Sequence, residues 1–244
     1  MNDEFRDGRN FLKAGWERLD SIETDQARGV PVPVQEDPVA DELRTYKLPP
    51  PDFRDSGQGS LFSLLSGRKS RRKYSPDGIS LKELSFLLWA AQGVKDAKPK
   101  YSFRTVPSAG ARHPLDLYLY IARVGDLTAG LYRYLPLEHE LALVREESDP
   151  AALDAALNRQ YWNAALVFIW AAVPYRTEWR YSVASHKLIA LDAGHSCQNL
   201  YLACESLGLG TCAIGAYSQD KLDRYLGLDG EERFALYAAP VGKI

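Results

Sequence analysis

Apolar and polar positions divide this chain near residue 60, and from there on the pattern is dense. ISLKELSFLLWAAQGV puts Leu81, Leu84, Leu87, Leu88 and Ala91 on one helical face. Ser80 and Glu83 form a capping box before it and Gly93 stops it. LDLYLYIARV (115–124) alternates as a half-buried strand, and GLYRYLPLEHELALV (130–144) reads as two strands joined by a short turn. Asp149 caps a helix starting at Pro150. AALVFIWAAV (164–173) is apolar without alternation and ends at Pro174, the pattern of a central strand covered on both faces. In LIALDAGHSCQNLYLACESL (188–207), Leu188, Leu191, His195, Gln198, Tyr201 or Leu202, and Cys204 fall at helical spacing, so a long helix runs into Gly208. TCAIGAY then reads as a short strand, Ser218 opens a helix closed by Gly227, and RFALYAAPVG is a last strand. The expected fold is α+β, a mostly antiparallel mixed sheet flanked by helices.

Residues 1–60 read differently. A short helix is expected around FLKAGWERLD, followed by a stretch with six prolines between Pro31 and Pro51 that is extended and poor in regular structure. Phe11, Leu12, Trp16, Leu19 and Ile22 give this segment something to bury, so it reads as an arm (1–60) lying on another surface, before a main domain at 61–244.

Composition narrows the function. With 45% apolar and 25% charged residues the 244-residue chain is an ordinary globule, and a net charge of −2 offers no electrostatic case for nucleic acid or an anionic membrane. No run approaches the ~18 apolar residues of a membrane span, and MNDEFRDGRN lacks the order of a secretory signal, so a cytoplasmic location is expected. Cys197, Cys204 and Cys212 lack CxxC spacing and read as buried free thiols; His195 is poorly placed to chelate with Cys197, and no metal is expected.

GLGTCA (208–213) fits the dinucleotide fingerprint G-x-G-x-x-G/A, but that turn needs a strand before it and a helix after it. Here a helix precedes and a strand follows, so Gly208 is a helix stop and Gly210 the start of a strand. No nucleophile elbow, HExxH or Walker loop occurs, and the four histidines are scattered. Three stretches remain. GRKSRRKYS (67–75) can grip a phosphate, although alone it is more simply a solvated basic loop. RTVPSAGARHP (104–114) offers small residues where backbone can approach a flat ligand, and TCAIGA does the same. Two bare ledges and one phosphate grip suit flavin mononucleotide (FMN).

At these stretches, and at a terminal PVGK, residues 61–244 resemble the FMN-dependent nitroreductase superfamily, most of all its SagB-type dehydrogenase branch, whose members oxidise azolines. The resemblance implies a nitroreductase-like fold and a homodimer with FMN at the subunit interface. Arg68, Ser70 and Arg72 match the motif holding the phosphate and the polar ring edge, with Lys69 where another Arg or His is usual. Pro107, Ser108 and Ala109, with Gly110, match the stretch a neighbouring subunit lays on the flavin. Ile214, Gly215 and Ala216 match the segment beside N5, and Lys243 is a further phosphate contact. Gly215 would then keep side chains off the ring.

The resemblance further implies two-electron transfer, with NAD(P)H as donor and a small-molecule acceptor. Azoline-oxidising relatives carry a Lys-Tyr pair before the long helix; here the pair is Arg180 and Tyr181. Arginine stays protonated and is a poor base, which counts against azole formation and leaves Tyr181 as a proton relay. A flavin-binding protein without turnover is the alternative. The short, charged VKDAKPKYSF suggests no lid over the pocket.

Overall fold

The computed structural model describes residues 3–51, 59–146 and 149–244. Its elements in chain order are α1 (Asp3–Leu12), β1 (Thr45–Lys47), α2 (Leu61–Gly67), α3 (Leu81–Gln92), β2 (Val94–Lys98), β3 (Tyr101–Arg104), β4 (Leu115–Ile121), β5 (Gly130–Leu135), β6 (Glu140–Glu146), α4 (Pro150–Ala156), β7 (Leu166–Ala172), α5 (Tyr175–Tyr181), α6 (Ser185–Ser206), β8 (Leu209–Thr211), α7 (Gln219–Leu226) and β9 (Phe234–Lys243). Seven strands form one sheet in the order β1-β6-β5-β4-β7-β9-β8. Every ladder in it is antiparallel, which is the α+β sheet the patterning predicts.

The sheet is covered on both faces. Leu117, Leu119, Phe168, Trp170 and Val241 pack under α3 and α6; Tyr118, Tyr120, Val167 and Ile169 pack under α4 and α7. This is why all seven residues of β7 are buried and why its sequence does not alternate. Each large side chain buried there, such as Phe168, contributes about 1.5–3 kcal/mol. The layers are tied by polar groups as well: Trp170 Nε1 donates to Ser196 Oγ (2.8 Å), which donates to the Ala91 carbonyl (2.7 Å).

The Ser80–Glu83 capping box is formed in full, and Asp149 accepts from the Ala151 amide. Gly208, at φ +67°, ends α6 in the left-handed conformation. The three cysteines are free and buried.

The buried face of α6 differs from the expected stripe. Leu191 is 47% exposed, and His195 and Gln198 also face outward. Cys204 of that stripe is buried, but its companions are Ile189, Ala193, Ser196, Cys197 and Leu200. Small residues line the buried side because α6 must lie close to α3 and to the sheet.

The helix expected around residues 11–20 is two pieces, α1 and a 3-10 turn at Trp16–Ser21, parted at Gly15. Residues beyond them are stitched to the body of the chain. Gln26 N–H donates to the Trp179 carbonyl and Trp179 Nε1 to the Val30 carbonyl, both at 2.9 Å. The Asp37 carboxylate bonds Arg176 (2.7 Å) and Arg233 (2.8 Å), and Arg133 donates to its carbonyl. β1 then joins the edge of the sheet through Thr45↔Ala142. The charged stretch after α3 is no simple loop: β2 and β3 pair as a separate hairpin.

Candidate functional site

The basic loop after α2 lies along the end of the sheet. Ser70 bridges Thr211 of β8, and the Arg71 amide bonds the Thr211 carbonyl (2.9 Å). The close approach is built into the glycines beneath it. A Cβ on Gly210 would lie 2.9 Å from Arg71 Cβ, and one on Gly242 would lie 2.8 Å from Tyr74 Cβ. The second glycine of GLGTCA therefore makes room for this loop.

Within the loop, Arg71 is neutralised by Glu205, with Nη2 at 3.1 and 3.2 Å from its two oxygens. The residues singled out by sequence are free of carboxylates. Arg68 lays its guanidinium 5.3 Å from the Tyr201 ring centroid and Arg72 lies 5.9 Å from that of Trp162. Lys69 is exposed, and Lys243 pairs through its backbone with Leu209. Among the described residues none of these four cations has an ion-pair partner.

Tyr201 joins this loop to the segment after β8. Its hydroxyl accepts from the Ala213 amide (2.8 Å) and lies 3.1 Å from Ser70 Oγ. With that amide on its lone pair, the tyrosine can donate to Ser70, leaving the serine proton free to point outward. Ile214 is buried, and its amide is used by the Ala238 carbonyl (2.7 Å). The amides of Gly215 and Ala216 have no partner among the described residues, and both residues are exposed. A Cβ on Gly215 would meet no atom within 4 Å. Neither fold nor backbone conformation demands glycine there.

The Ala216 carbonyl is held from the other side by Asn158 (3.1 Å) and Gln160 (2.7 Å). Their turn, which also carries Trp162, was not singled out by sequence. Asn158, Arg159, Trp162 and Asn163 all have φ between +49° and +62°. Asn tolerates that region, but Arg and Trp do so at a cost of about 1–2 kcal/mol each. Strain of this kind concentrates around sites. The asparagines flanking the turn in NRQYWN were the available signal.

The second group of predicted residues lies elsewhere. Ser108 Oγ donates to Asp192 Oδ2 (2.5 Å) and accepts from the His113 amide (2.9 Å), so its side chain is occupied and only its backbone is on offer. Burial raises the Asp192 pKa, opposed by those hydrogen bonds from Ser108 and Ala109. Gly110 has φ +57°, and a Cβ there would lie 2.7 Å from the Tyr181 hydroxyl and 3.1 Å from Arg180 Cδ. Tyr181 is thus brought against the Pro107–Gly110 ledge. It is held by Trp16, edge-on at 5.6 Å, and followed by Ser182 at φ +41°.

The ledge forms part of a cleft of about 1270 Å³, whose other walls are Gly29–Val32, the β2–β3 hairpin, Trp179 and Arg180. His113 at its floor is kept neutral, its pKa pushed down to about 3 by burial and by Arg104. The cleft contains none of residues 68–72 or 214–216. The reason is α6. Asp192, which holds the ledge, and Tyr201, which holds the basic loop, are nine residues apart on it. That separation places them about 14 Å apart along the axis and about 180° around it.

The family model for the nitroreductase family matches residues 65–243. Among curated proteins the chain is 33% identical over 201 residues to MJ1384 of Methanocaldococcus jannaschii, named as a nitroreductase, covering 82% of this chain and 97% of that protein. It is 27% identical over 166 residues to the trifolitoxin-processing protein TfxB of Rhizobium leguminosarum bv. trifolii, spanning 63% of this chain and 44% of TfxB. A crystal structure from Ralstonia eutropha JMP134, of a protein named as a nitroreductase, superposes with a TM-score of 0.68 at 30% identity, covering 84% of this chain and 91% of that one. The Escherichia coli microcin synthetase McbBCD complex shares the fold, at TM-score 0.62 and 19% identity over 79% of this chain and 77% of the matched one. No helix among the described residues is long and apolar enough to cross a membrane. A match that spans six of the sheet's seven strands, the basic loop and both ledges makes this chain a member of the nitroreductase family.

Proposed function

We infer that the chain is an FMN-dependent oxidoreductase that works as a homodimer and passes electrons from NAD(P)H to a small molecule. The observation that carries this reading is the joint at Tyr201. One hydroxyl ties a loop in which Arg68, Lys69 and Arg72 have no ion-pair partner among the described residues to a segment with free amides and a glycine that none of those residues requires. The parts fit an FMN. Arg68, Arg72 and Ser70 would hold the phosphate through charge-assisted bonds, with Lys69 and Lys243 adding positive charge. Gly215 and Ala216 would present their amides to the ring edge, while Ile214, its amide already used, contributes only its side chain.

FMN, when bound, accepts a hydride equivalent and releases it to the second substrate at the same site. The protein supplies placement. Since α6 holds the two groups of residues on opposite sides, one chain's Pro107–Gly110 ledge would complete the site of another. Exposed Leu61 (64%), Phe62 (81%) and Leu65 (52%) of α2, and Leu191 of α6, supply apolar surface for such a contact.

A second reading, oxidation of an azoline-like substrate, draws on Tyr181, whose hydroxyl adjoins the ledge. Against it stands Arg180, a permanent cation rather than a base.

The test is an absorption spectrum of purified protein before and after anaerobic NADH or NADPH. A flavin band that bleaches supports the reading; no band after reconstitution with FMN refutes it. Arg72→Ala should lose FMN, whereas Tyr181→Phe should keep it and at most slow turnover.

A further inference from the structure

The cleft beside the ledge carries a chemical signature of its own. Lys95, Lys100, Arg104, Arg112 and Arg180 line it, and among the described residues no Asp or Glu does. Two of the guanidiniums repel each other: the Arg112 pKa is lowered by burial and then by the charge of Arg180. Arg112 lies over the Trp179 ring at 5.4 Å and spends Nε on the Gly110 carbonyl and Nη2 on that of Lys100, leaving Nη1 without a hydrogen-bond partner among the described residues. Arg104, 5% exposed, bonds Gln92 and Ser102 but leaves Nη2 buried and unpaired. Arg180 is exposed, lies beside Gly110 and over the face of Tyr181 at 5.5 Å, and has no ion-pair partner among the described residues. Arg104 has Glu36 and Asp116 behind it, but Lys100, Arg112 and Arg180 face the cleft with no carboxylate in its lining, and like charges so gathered are stabilised by an anion placed among them.

Much of the remaining lining is apolar. Tyr101 and Phe103 meet edge to face at 5.4 Å and remain 39% and 50% exposed. Opposite them stand Val30, Pro31 and Val32, a wall outside the family match, pinned by Trp179. Apolar walls with a few convergent polar groups are the usual make-up of a small-molecule site.

We propose that this cleft binds the small-molecule substrate, and that the substrate is flat, largely apolar and carries a carboxylate or comparable anion. Arg180 and Lys100 receive the anion, while Val30–Val32 and the hairpin aromatics hold the ring. Arg180, an obstacle to azole formation when read as a missing base, has a role here as an anion receptor. As a site of flavin chemistry, the cleft rests on the FMN reading above; its preference for an anion does not.

The experiment is isothermal titration of the full-length protein with 4-nitrobenzoate and with 4-nitrobenzamide, a neutral molecule of nearly the same shape, with and without added FMN. The expected result is tighter binding of the benzoate by roughly tenfold to a hundredfold, with that preference lost in Arg180→Gln and reduced in Lys100→Gln. Equal affinity for the two probes, or no binding of either because a second copy fills the cleft, overturns the proposal. So does a preference that survives Arg180→Gln. An anion preference in protein that fails to bind FMN would leave the cleft standing and remove the flavin; FMN binding without the preference would do the reverse.

Discussion

Gly215 offers the cleanest separation of cofactor contact from protein stability. The perturbation is Gly215→Val. The residue is exposed, its φ lies outside the left-handed region, and a Cβ there meets nothing within 4 Å. An exposed substitution touching no such feature costs within about 0.5 kcal/mol. For a chain of this size that is a change in melting temperature of about 2 °C or less. An isoalloxazine ring laid on the same backbone would instead be pushed off by the isopropyl group. Overpacking of that kind costs about 1–3 kcal/mol, which weakens the FMN dissociation constant about fivefold to over a hundredfold. Apoprotein is titrated with FMN while flavin fluorescence is followed, and melting is measured by circular dichroism without flavin. Unchanged FMN affinity in the variant would show that no ring lies over Gly215. A large loss of stability would show that the glycine serves the fold and that the open space is filled by the protein itself.

Gly110→Ala should behave oppositely. The methyl adopts φ +57° at a cost of about 1–2 kcal/mol and overlaps the Tyr181 hydroxyl, so the free energy of unfolding from denaturant titration should fall by about 2–5 kcal/mol in all. Asp37→Ala removes one carboxylate from Arg176, which is nearly fully buried, and should cost about 1.5–3 kcal/mol in urea unfolding; limited proteolysis should then cut the arm between residues 22 and 44 first. Glu36 is half-buried, and burial together with a hydrogen bond to Glu138 pushes its pKa from 4.5 up to about 8. The folded chain therefore holds a proton that the unfolded chain loses, and this contribution to stability, complete below about pH 4.5, is lost as pH rises through about 8. Glu36→Gln should flatten that slope and be the more stable protein at pH 8.5; parallel pH profiles for the two would refute the assignment.

The helices with local signals were legible in the sequence. Ser80 with Glu83, Asp149 with Pro150, and Gly208 each fix a boundary through neighbours three residues away or fewer. The elements that escaped depend on distant partners. β1 is three residues long and is a strand only because Ala142 and its neighbours offer an open edge. In the β2–β3 hairpin, β2 is mostly exposed and β3 alternates the unexpected way round, with Tyr101 and Phe103 outward and Ser102 and Arg104 buried, so hydropathy does not mark the pair. On α6 Leu191 points outward while Ala193, Ser196 and Cys197 join Ile189 and Leu200 on the buried side, so hydropathy alone misplaces the buried face. The basic loop and the small-residue ledges were visible as motifs, but the strained turn at 158–163 and the wall at 29–32 were not, because only tertiary contact with Ala216 and Trp179 gives them a role.

The geometry of α6 also has a bearing on mass action. If two chains complete each flavin site from opposite sides of their α6 helices, cofactor occupancy and self-association are one linked equilibrium. Diluting the protein would then release FMN, and saturating it with FMN would draw separated chains together. A twofold pair would carry two such sites, each repeating the other.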